Sequence, residues 1–477
     1  MFDIRKIIGI RIIKNWSSLV FAMIVTSISS FLCFLILGKK MTVEDYGLFN
    51  SLLALASAVA VFVNNILAGI IANREIALNK NISGTILKKF LPVRILAFIV
   101  GSVVVVIYVG IKEEASILIY VSTILMLSFD SFWDLFEQIA FGLKVTTYSM
   151  IINIVSSIVW LLVVLILPLR WASISIVILI YSIICVAKII IYGICDLRIT
   201  SDYHEKDTFG YKYYLCSSMP YMYNRILGII STQVPILLLD GYSGLSETAY
   251  YSVGEKFTTP LIKLVMVTIS AVFPFLTEAL KRNREETKQL VVYVFQLMIT
   301  VGAFCALLLS TTTDIWMVGV LGEKYVDAVE AFNYQIWFAV IICVDSFFSM
   351  LLSSDFRQKT LSKVTTIDAI LLLPFLYVGI YYGAKGLSFA KLIHATICLL
   401  YHLFLINRYY GETTRNKRKI NLIGSWMILV LLGIFGILVS NKIILMLICF
   451  SYIIMLYIVN KNAIMTLCRF IKNKYTG

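Results

Sequence analysis

Residues 213–280 read YYLCSSMPYMYNRILGIISTQVPILLLDGYSGLSETAYYSVGEKFTTPLIKLVMVTISAVFPFLTEAL. This mostly apolar stretch contains prolines and charged residues, which membrane spans normally lack. Its length and apolar composition predict a hairpin of two membrane-spanning helices. A proline inside a span frees backbone carbonyls that lipid cannot bind, and a charge near the bilayer centre costs about 2.5 kcal/mol or more. A lining of protein or water is therefore predicted around Pro220, Pro235, Pro260, Pro274, Arg225, Glu255, Lys256 and Lys263.

Polar residues in both helices of this hairpin follow the 3.6-residue period of an α-helix, so they share a face in each. The two polar faces are Ser218, Tyr221, Arg225 and Thr232 in the first helix, and Ser252, Lys256, Thr259 and Lys263 in the second. Polar stripes inside membrane-length helices predict a transport path that is lined by positive charge. The alternative is that the basic side chains extend to the membrane surface, as long Lys and Arg side chains can.

The whole chain has the composition of a polytopic membrane protein. Of its 477 residues, 60% are hydrophobic and 14% are charged, and the mean hydropathy is +0.91. Apolar runs recur from end to end, and we predict an all-α fold of about 14 transmembrane helices, whose first span is not a cleaved signal peptide. The nine cysteines lack metal-ligand spacing, and no nucleotide-binding loop or catalytic motif is apparent. We therefore predict a protein that is not an enzyme.

The basic residues are distributed unequally between the two sides of the predicted membrane. The two termini and the loops on their side hold 29 of the 41 Lys and Arg residues, and the loops of the other side hold seven. Because cytoplasmic loops carry the excess of basic residues, both termini are predicted to be cytoplasmic. The net charge of +14 then lies along the anionic cytoplasmic leaflet, which explains it without a nucleic acid partner.

A weak internal repeat divides the chain. Residues 41–49, MTVEDYGLF, resemble residues 245–253, LSETAYYSV, with Glu44 opposite Glu247 and Tyr46 opposite Tyr250 if a one-residue gap is allowed. The alternative explanation is that both segments are ordinary helix starts with an acidic first turn. Duplicated six-helix halves are common in transporters and place the binding site at their interface. The predicted domains are an N-terminal lobe at 1–195, a cytoplasmic linker at 196–212, a C-terminal lobe at 213–410, and two further spans with a cytoplasmic tail at 411–477.

Three carboxylates of the fourth predicted span share one helix face, because Asp130, Asp134 and Glu137 have the spacing i, i+4 and i+7. Three neighbouring acids inside a membrane cannot all be ionised cheaply. They are expected to pair with the basic residues of the hairpin, or to take up a proton or sodium ion that drives transport. A fixed salt bridge within the bundle is the third explanation. Glu255 is a further candidate for pairing or ion coupling.

The twelfth predicted span carries Lys391, His394 and His402, of which Lys391 and His394 share a face. Either His394 titrates, since the pKa of histidine lies near neutral pH, or it is a hydrogen-bonded packing residue. Asp345, in the tenth span, is a candidate partner for an intramembrane cation.

The passage out of the first span, Gly38-Lys-Lys-Met-Thr-Val-Glu-Asp-Tyr-Gly-Leu-Phe49, resembles the polysaccharide flippases of the multidrug/oligosaccharidyl-lipid/polysaccharide exporter superfamily. Leu321-Gly-Glu-Lys-Tyr325 is similar to a second short motif of these O-antigen and capsule repeat-unit (Wzx-type) translocases. The resemblance implies two six-helix lobes around a central cavity that opens to either side in turn. Its implied substrate is a sugar repeat unit on undecaprenyl diphosphate. Basic residues expected along the first lobe's lumen have no mid-span counterpart in this interpretation.

The residues and the resemblance together predict a flippase of the bacterial inner membrane, active in polysaccharide and lipopolysaccharide biosynthesis, that moves a lipid-linked oligosaccharide. The substrate-binding candidates are Arg225, Lys256, Lys263 and Lys391, whose charge would attract the diphosphate. No cofactor is predicted beyond H+ or Na+ as the coupling ion, and polysaccharide polymerase machinery is the predicted partner. The alternatives are a multidrug exporter of the same superfamily, a membrane polymerase or ligase, and a non-transporting component of polysaccharide synthesis.

Overall fold

A computed structural model describes residues 2–111, 116–201, 203, 205, 207–282 and 284–410 of the chain. The two predicted spans after residue 410 lie outside this part. The helices are α1 (Phe2–Lys40), α2 (Val43–Ile66), α3 (Gly69–Leu78), α4 (Ser83–Ile111), α5 (Ile117–Gly142), α6 (Thr147–Ile166), α7 (Ile174–Thr200), α8 (Tyr211–Thr232), α9 (Val234–Tyr242), α10 (Leu245–Arg282), α11 (Arg284–Leu321), α12 (Ala328–Ser354), α13 (Gln358–Ile380) and α14 (Gly383–Tyr410).

The helices confirm the prediction of an all-α polytopic membrane protein. Within the described residues, ten stretches of helix are long and apolar enough to cross a membrane. The helices α8 and α9 are separated by a bend of 43°, and they form an eleventh span if they are counted as one. Pro235 stands at the start of α9, where its missing N–H leaves no bond unmade. The predicted number of fourteen spans stays a prediction.

Two compact units divide the chain, and the division falls inside α10, between Ala249 and Tyr250. In unit 1, which contains α1 to α9, α5 packs against α7, α2 and α3. In unit 2, α14 packs against α12 and α13, and α11 packs against α12. The lobe boundaries derived from the sequence repeat stay a prediction.

A glycine of the flippase-like motif explains how α2 meets the start of α10 within unit 1. A Cβ atom added to Gly47 would lie 2.0 Å from the carbonyl oxygen of Leu245, so no other residue fits without movement. The hydroxyl of Ser246 lies 3.2 Å from Oε1 of Glu44, one turn earlier in α2. The two segments paired by the sequence repeat are therefore in direct contact.

The first turn of α14 is joined to α10 and α12 by a buried glutamine in unit 2. The Nε2 atom of Gln335 donates to the carbonyl oxygen of Tyr251 at 3.0 Å and to Oγ of Ser388 at 3.1 Å. Gly254 admits this side chain, because a Cβ atom there would lie 1.9 Å from the Oε1 atom of Gln335. These polar contacts fix the register of the three helices relative to one another.

A buried carboxylate holds the connection between α7 and α8 against α4. The Nζ atom of Lys89 lies 2.6 Å from Oδ2 of Asp207, which also accepts a bond from the Tyr214 hydroxyl at 2.8 Å. Burial alone would raise the pKa of Asp207. The hydrogen bonds from Lys89, the Phe209 amide and Tyr214 outweigh burial and lower this pKa below its ordinary value of 3.8.

Candidate functional site

A break between α2 and α3 forms the centre of a polar site in unit 1. Leu67 and Ala68 have extended backbone conformations, so the carbonyls at the end of α2 lack helical partners. Such groups must be satisfied inside the protein, because lipid offers no hydrogen bonds. The hydroxyl of Ser218, on α8, accepts a bond from the Ala68 amide at 2.9 Å.

Arg94, on α4, satisfies the carbonyls that the break releases. It is fully buried, at 0% exposure, and its Nη2 atom donates to the carbonyl oxygens of Asn64 at 3.0 Å and Leu67 at 3.1 Å. Its Nη1 atom donates to the carbonyl oxygen of Ser131 at 3.1 Å. A guanidinium carries five donors in a planar fork, which is why arginine can bind several carbonyls at once.

Asp134 supplies the countercharge for this buried arginine. Its Oδ2 atom lies 3.3 Å from Nη2 of Arg94 and stands beside the first residue of α3. A Cβ atom on Gly69 would lie 2.5 Å from the same oxygen, so glycine is needed for α3 to begin here. Of the three explanations offered for the acids of α5, this pair corresponds to the fixed salt bridge within the bundle, and its cation is Arg94 and not a residue of the hairpin.

The other two acids of α5 are held by neutral groups and by one lysine of α7. The Ser57 hydroxyl donates to Asp130 at 2.9 Å, and Ser149 and Asn153 donate to Glu137 at 3.2 and 3.1 Å. The lysine is Lys188, whose charge acts on both carboxylates and whose Nζ atom lies 4.7 Å from the ring centre of Phe129 and 5.4 Å from that of Trp133. Three acids and two cations thus share one polar region of unit 1.

Hydropathy alone does not identify Arg94, because the apolar run of this span begins near Leu91 and places Arg94 with the cytoplasmic basic residues. In the structure, α4 already begins at Ser83. Arg94 therefore lies three turns into the helix and belongs to the membrane-spanning part of unit 1. The signal was present in the sequence, since Pro92-Val-Arg94 leads directly into an uninterrupted apolar run.

Arg225 lies in the middle of α8, and its side chain is exposed. Tyr221 and Thr232 of the predicted polar face are exposed with it, whereas Ser218 is buried against the helix break. An exposed arginine at mid-span is stable only where it meets water or another polar group, because lipid would leave its donors unbonded. The exposed polar face of α8 is therefore narrower than predicted, because Ser218 is not part of it, but it still includes Arg225.

The two lysines of the second polar face differ in their surroundings within α10. Lys263 is exposed and Lys256 is half-buried, whereas Ser252 is completely buried. Thr259 is exposed between the two lysines. The face of α10 therefore presents a lysine pair about 10 Å apart along the helix axis, with a hydroxyl between them.

Lys391 and Glu255 are brought together in unit 2. The Nζ atom of Lys391 lies 2.5 Å from the Tyr251 hydroxyl and 3.7 Å from Oε1 of Glu255, and its side chain is 4% exposed. It also lies 4.9 Å from the ring centre of Phe338. Lys391 thus has polar and aromatic partners in this structure.

These arrangements can bind an anion and can hold exchangeable protons. Among the residues that the structure describes, no group of three or more His, Cys, Asp or Glu side chains is placed to hold a metal ion. The chemistry available is therefore the recognition of charge inside a helical membrane protein.

Three solved structures share this fold over most of the chain. An inward-facing multidrug resistance MATE family transporter of the MOP superfamily matches with a TM-score of 0.60 and 12% identity, over 82% of this chain and 96% of that one. The lipid II flippase MurJ, in an inward closed conformation, matches with a TM-score of 0.55 and 15% identity, over 93% and 99%. A mutant of the Vibrio cholerae MATE transporter VcmN matches with a TM-score of 0.51 and 13% identity, over 84% and 97%.

At these identities the matches show a common fold, which is that of MOP-superfamily transporters and flippases. No curated protein sequence matches the chain. The family model described as polysaccharide biosynthesis protein matches residues 12–280, which is more than half of the chain. The resemblance predicted from the motifs is confirmed, as is a transporter fold in place of an enzyme. The chain therefore belongs to the polysaccharide biosynthesis protein family.

Proposed function

We propose that this protein is a flippase that moves an undecaprenyl-diphosphate-linked oligosaccharide repeat unit across the bacterial inner membrane by alternating access. The observation that carries the proposal is the exposure of Arg225 and Lys263 within helices that belong to a membrane-spanning fold. Each cation needs a polar partner at this depth, and a diphosphate supplies acceptor oxygens with negative charge. A lipid tail could stay in the bilayer while the charged head group passes.

The lysine pair of α10 is proposed to bind the diphosphate or the acidic sugars of the substrate, and Arg225 is a further proposed substrate-binding cation. Lys256 lies two helical turns from Lys263 on the same face, with Thr259 between them as an additional donor. Lys391 joins the set if the substrate displaces Glu255, since their 3.7 Å separation is longer than that of a strong charge-assisted bond. Substrate binding would then release Glu255 from its pair with Lys391.

The acids of unit 1 are proposed to couple the transport to an ion. Asp130 and Glu137 are bound mainly by neutral donors, which leaves them able to gain a proton without breaking a salt bridge. Asp134 is paired with Arg94, and we propose that it contributes to ion coupling through this pair. The ion, the cytoplasmic location of both termini and a functional link to polysaccharide polymerase machinery all belong to this proposal.

The family and one structural neighbour support a lipid-linked substrate. The family is described by polysaccharide biosynthesis, and the neighbour MurJ is named a lipid II flippase. A neighbour at 15% identity carries the fold alone, so the substrate is proposed from the cations and not from the name. A positively charged lumen also fits a lipid diphosphate better than it fits a cationic drug.

Depletion of the protein from cells tests the proposed substrate. Lipid-linked oligosaccharides are extracted before and after depletion, and the surface polymer is quantified in parallel. The proposal predicts accumulation of one lipid-linked species on the inner leaflet and loss of the matching polymer. An unchanged lipid pool with intact polymer would refute it.

The second candidate function is multidrug export, which the match to MATE transporters favours. In this case the acids of α5 would bind the substrate, because a cationic drug needs a negative site. A deletion strain would become sensitive to a panel of cationic drugs and keep its surface polymer. The flippase proposal predicts the opposite on both measurements.

A further inference from the structure

A histidine of unit 2 lies between two aspartates that come from two different helices. The Nδ1 atom of His402, on α14, makes a short hydrogen bond with Oδ1 of Asp345, on α12. The Nε2 atom of the same ring lies 3.2 Å from Oδ2 of Asp368, on α13. Both ring nitrogens therefore face a carboxylate oxygen.

This geometry requires one more proton than a neutral imidazole has. A neutral ring carries a single N–H, so its second nitrogen would direct a lone pair at a carboxylate oxygen. That contact is repulsive, and it becomes an attractive ion pair when the nitrogen is protonated. The arrangement therefore favours an imidazolium at His402, whose Nδ1 atom is hydrogen-bonded and whose buried Nε2 atom lies at ion-pair distance from the second carboxylate.

The three groups lie at the same level of the helix bundle. Asp345 precedes the end of α12 by nine residues, Asp368 follows the start of α13 by ten, and His402 precedes the end of α14 by eight. At 1.5 Å per residue each group is about 12–15 Å from the same end of the bundle, well inside a span. A net charge at this depth is costly, so the cluster has a strong reason to hold protons.

Burial differs between the ring and its carboxylates in a way that allows proton exchange. The His402 side chain is 1% exposed and is stacked on Phe348 with 4.5 Å between ring centres, which fixes the ring plane. The side chains of Asp345 and Asp368 are 30% and 22% exposed. A proton can therefore reach the buried ring through either carboxylate.

His394 and Lys391, which lie on the same helix as His402, have partners of their own. On α14, His394 binds the carbonyl oxygen of Asp368 at 2.9 Å and the thiol of Cys398 at 3.4 Å, and Lys391 is paired with Glu255. On α12, the thiol nearest in sequence is Cys343, which is partly buried. Even with an imidazolium, the cluster keeps one negative charge, which a second proton would remove.

We propose that Asp345, His402 and Asp368 form a proton-binding site of unit 2. The inference rests on the proposed function in one respect, namely that the bound proton serves as the coupling ion of the flippase. A proton is favoured over sodium because the imidazole ring, and not an open space, lies between the two carboxylates.

Nitrogen NMR of full-length protein labelled at histidine tests the site without any sugar lipid. The chain has three histidines, so the signals can be assigned with single variants. At neutral pH one histidine is expected to have both ring nitrogens protonated, and this signal is lost in His402→Gln but kept in the matched control His394→Gln. In the double variant Asp345→Asn/Asp368→Asn the same ring is expected to become neutral. A neutral His402 in the unaltered protein would overturn the proposal.

The coupling role is tested with the protein in vesicles that contain an undecaprenyl diphosphate-linked oligosaccharide. A proton gradient is expected to accelerate flipping by about tenfold in the unaltered protein and to have no effect in His402→Gln. An undiminished gradient response in His402→Gln, or a response to sodium alone, would overturn this role. Absence of flipping by the unaltered protein would refute the proposed function instead, and the NMR result would still decide whether the site binds a proton.

Discussion

Arg94 and Asp134 form a pair that closes the break between α2 and α3, with Nη2 of the arginine 3.3 Å from Oδ2 of the aspartate. The arginine is completely buried, and it also binds the carbonyl oxygens of Asn64 and Leu67. One side chain thus neutralises an intramembrane acid and satisfies the backbone of a broken helix. The interruption of the second span is stable because this arginine replaces the missing helical bonds.

Replacing Arg94 with glutamine should destabilise the protein by about 3–5 kcal/mol, because Asp134 and two carbonyls lose their partner. The measurement is the thermal unfolding midpoint in detergent. Lys385→Gln is the control, since both side chains of its bridge to Glu330 are more than half exposed, and such a bridge should contribute about 1 kcal/mol or less. Equal midpoints for the two variants would contradict the role given to Arg94.

Replacing Gly47 with alanine should lower stability, because the new methyl group would lie 2.0 Å from the carbonyl oxygen of Leu245. Gly228→Ala is the control, because nothing lies within 4 Å of the added Cβ atom on that helix. The control should be stabilised by up to about 1 kcal/mol through the better helix propensity of alanine. Thermal unfolding of both variants measures the difference, and a stable Gly47→Ala protein would show that α2 does not approach α10 this closely.

Replacing Asp207 with asparagine should destabilise the connection between α7 and α8 near neutral pH. The folded protein lowers the pKa of this carboxyl, so its contribution is present above the ordinary value of 3.8 and is lost as the pH falls through the lower folded value. Unfolding midpoints of both proteins should therefore converge below about pH 4. Glu205→Gln, at an exposed site of the same connection, should change little at any pH. A constant difference across this range would exclude titration of Asp207 as the cause.

Replacing Lys391 with methionine should destabilise unit 2, because Glu255 and the Tyr251 hydroxyl lose a buried partner. The double variant Lys391→Met/Glu255→Gln should recover part of the loss, since no uncompensated charge remains. A double-mutant cycle of unfolding free energies measures the coupling. Full stability of the single variant would contradict a stabilising role for this pair.

Hydrophobic runs and charge distribution were sufficient to predict the helical fold, since a chain with so many apolar spans has few other structures available to it. The motif at Gly47 also pointed to the correct family, and its glycine proves to be a site of close backbone approach. The helical period shows which residues share a face of one helix, but it does not show which residues of two helices are in contact. Asp134 shares a face with Asp130 and Glu137, yet nothing in that spacing identifies Arg94 as its partner.

The cluster around His402 illustrates the same limit. His402 and Asp345 are recognisable as unusual residues of a span, whereas Asp368 is not, because the apolar run of its span begins only a few residues before it, although α13 starts ten residues earlier at Gln358. Only the packing of α12, α13 and α14 brings the three side chains together. Residue types and helix faces can be read from a sequence, whereas contacts between distant helices depend on how the helices pack.

The most direct test of the proposed function is flipping of an undecaprenyl diphosphate-linked oligosaccharide by the purified protein in vesicles. The double variant Lys256→Gln/Lys263→Gln is compared with Lys281→Gln/Arg282→Gln, which alters two exposed cations at the end of the same helix. Rapid flipping is expected for the unaltered protein and the control, and loss of flipping for the first variant although it remains folded. Undiminished flipping by Lys256→Gln/Lys263→Gln would contradict the proposed function.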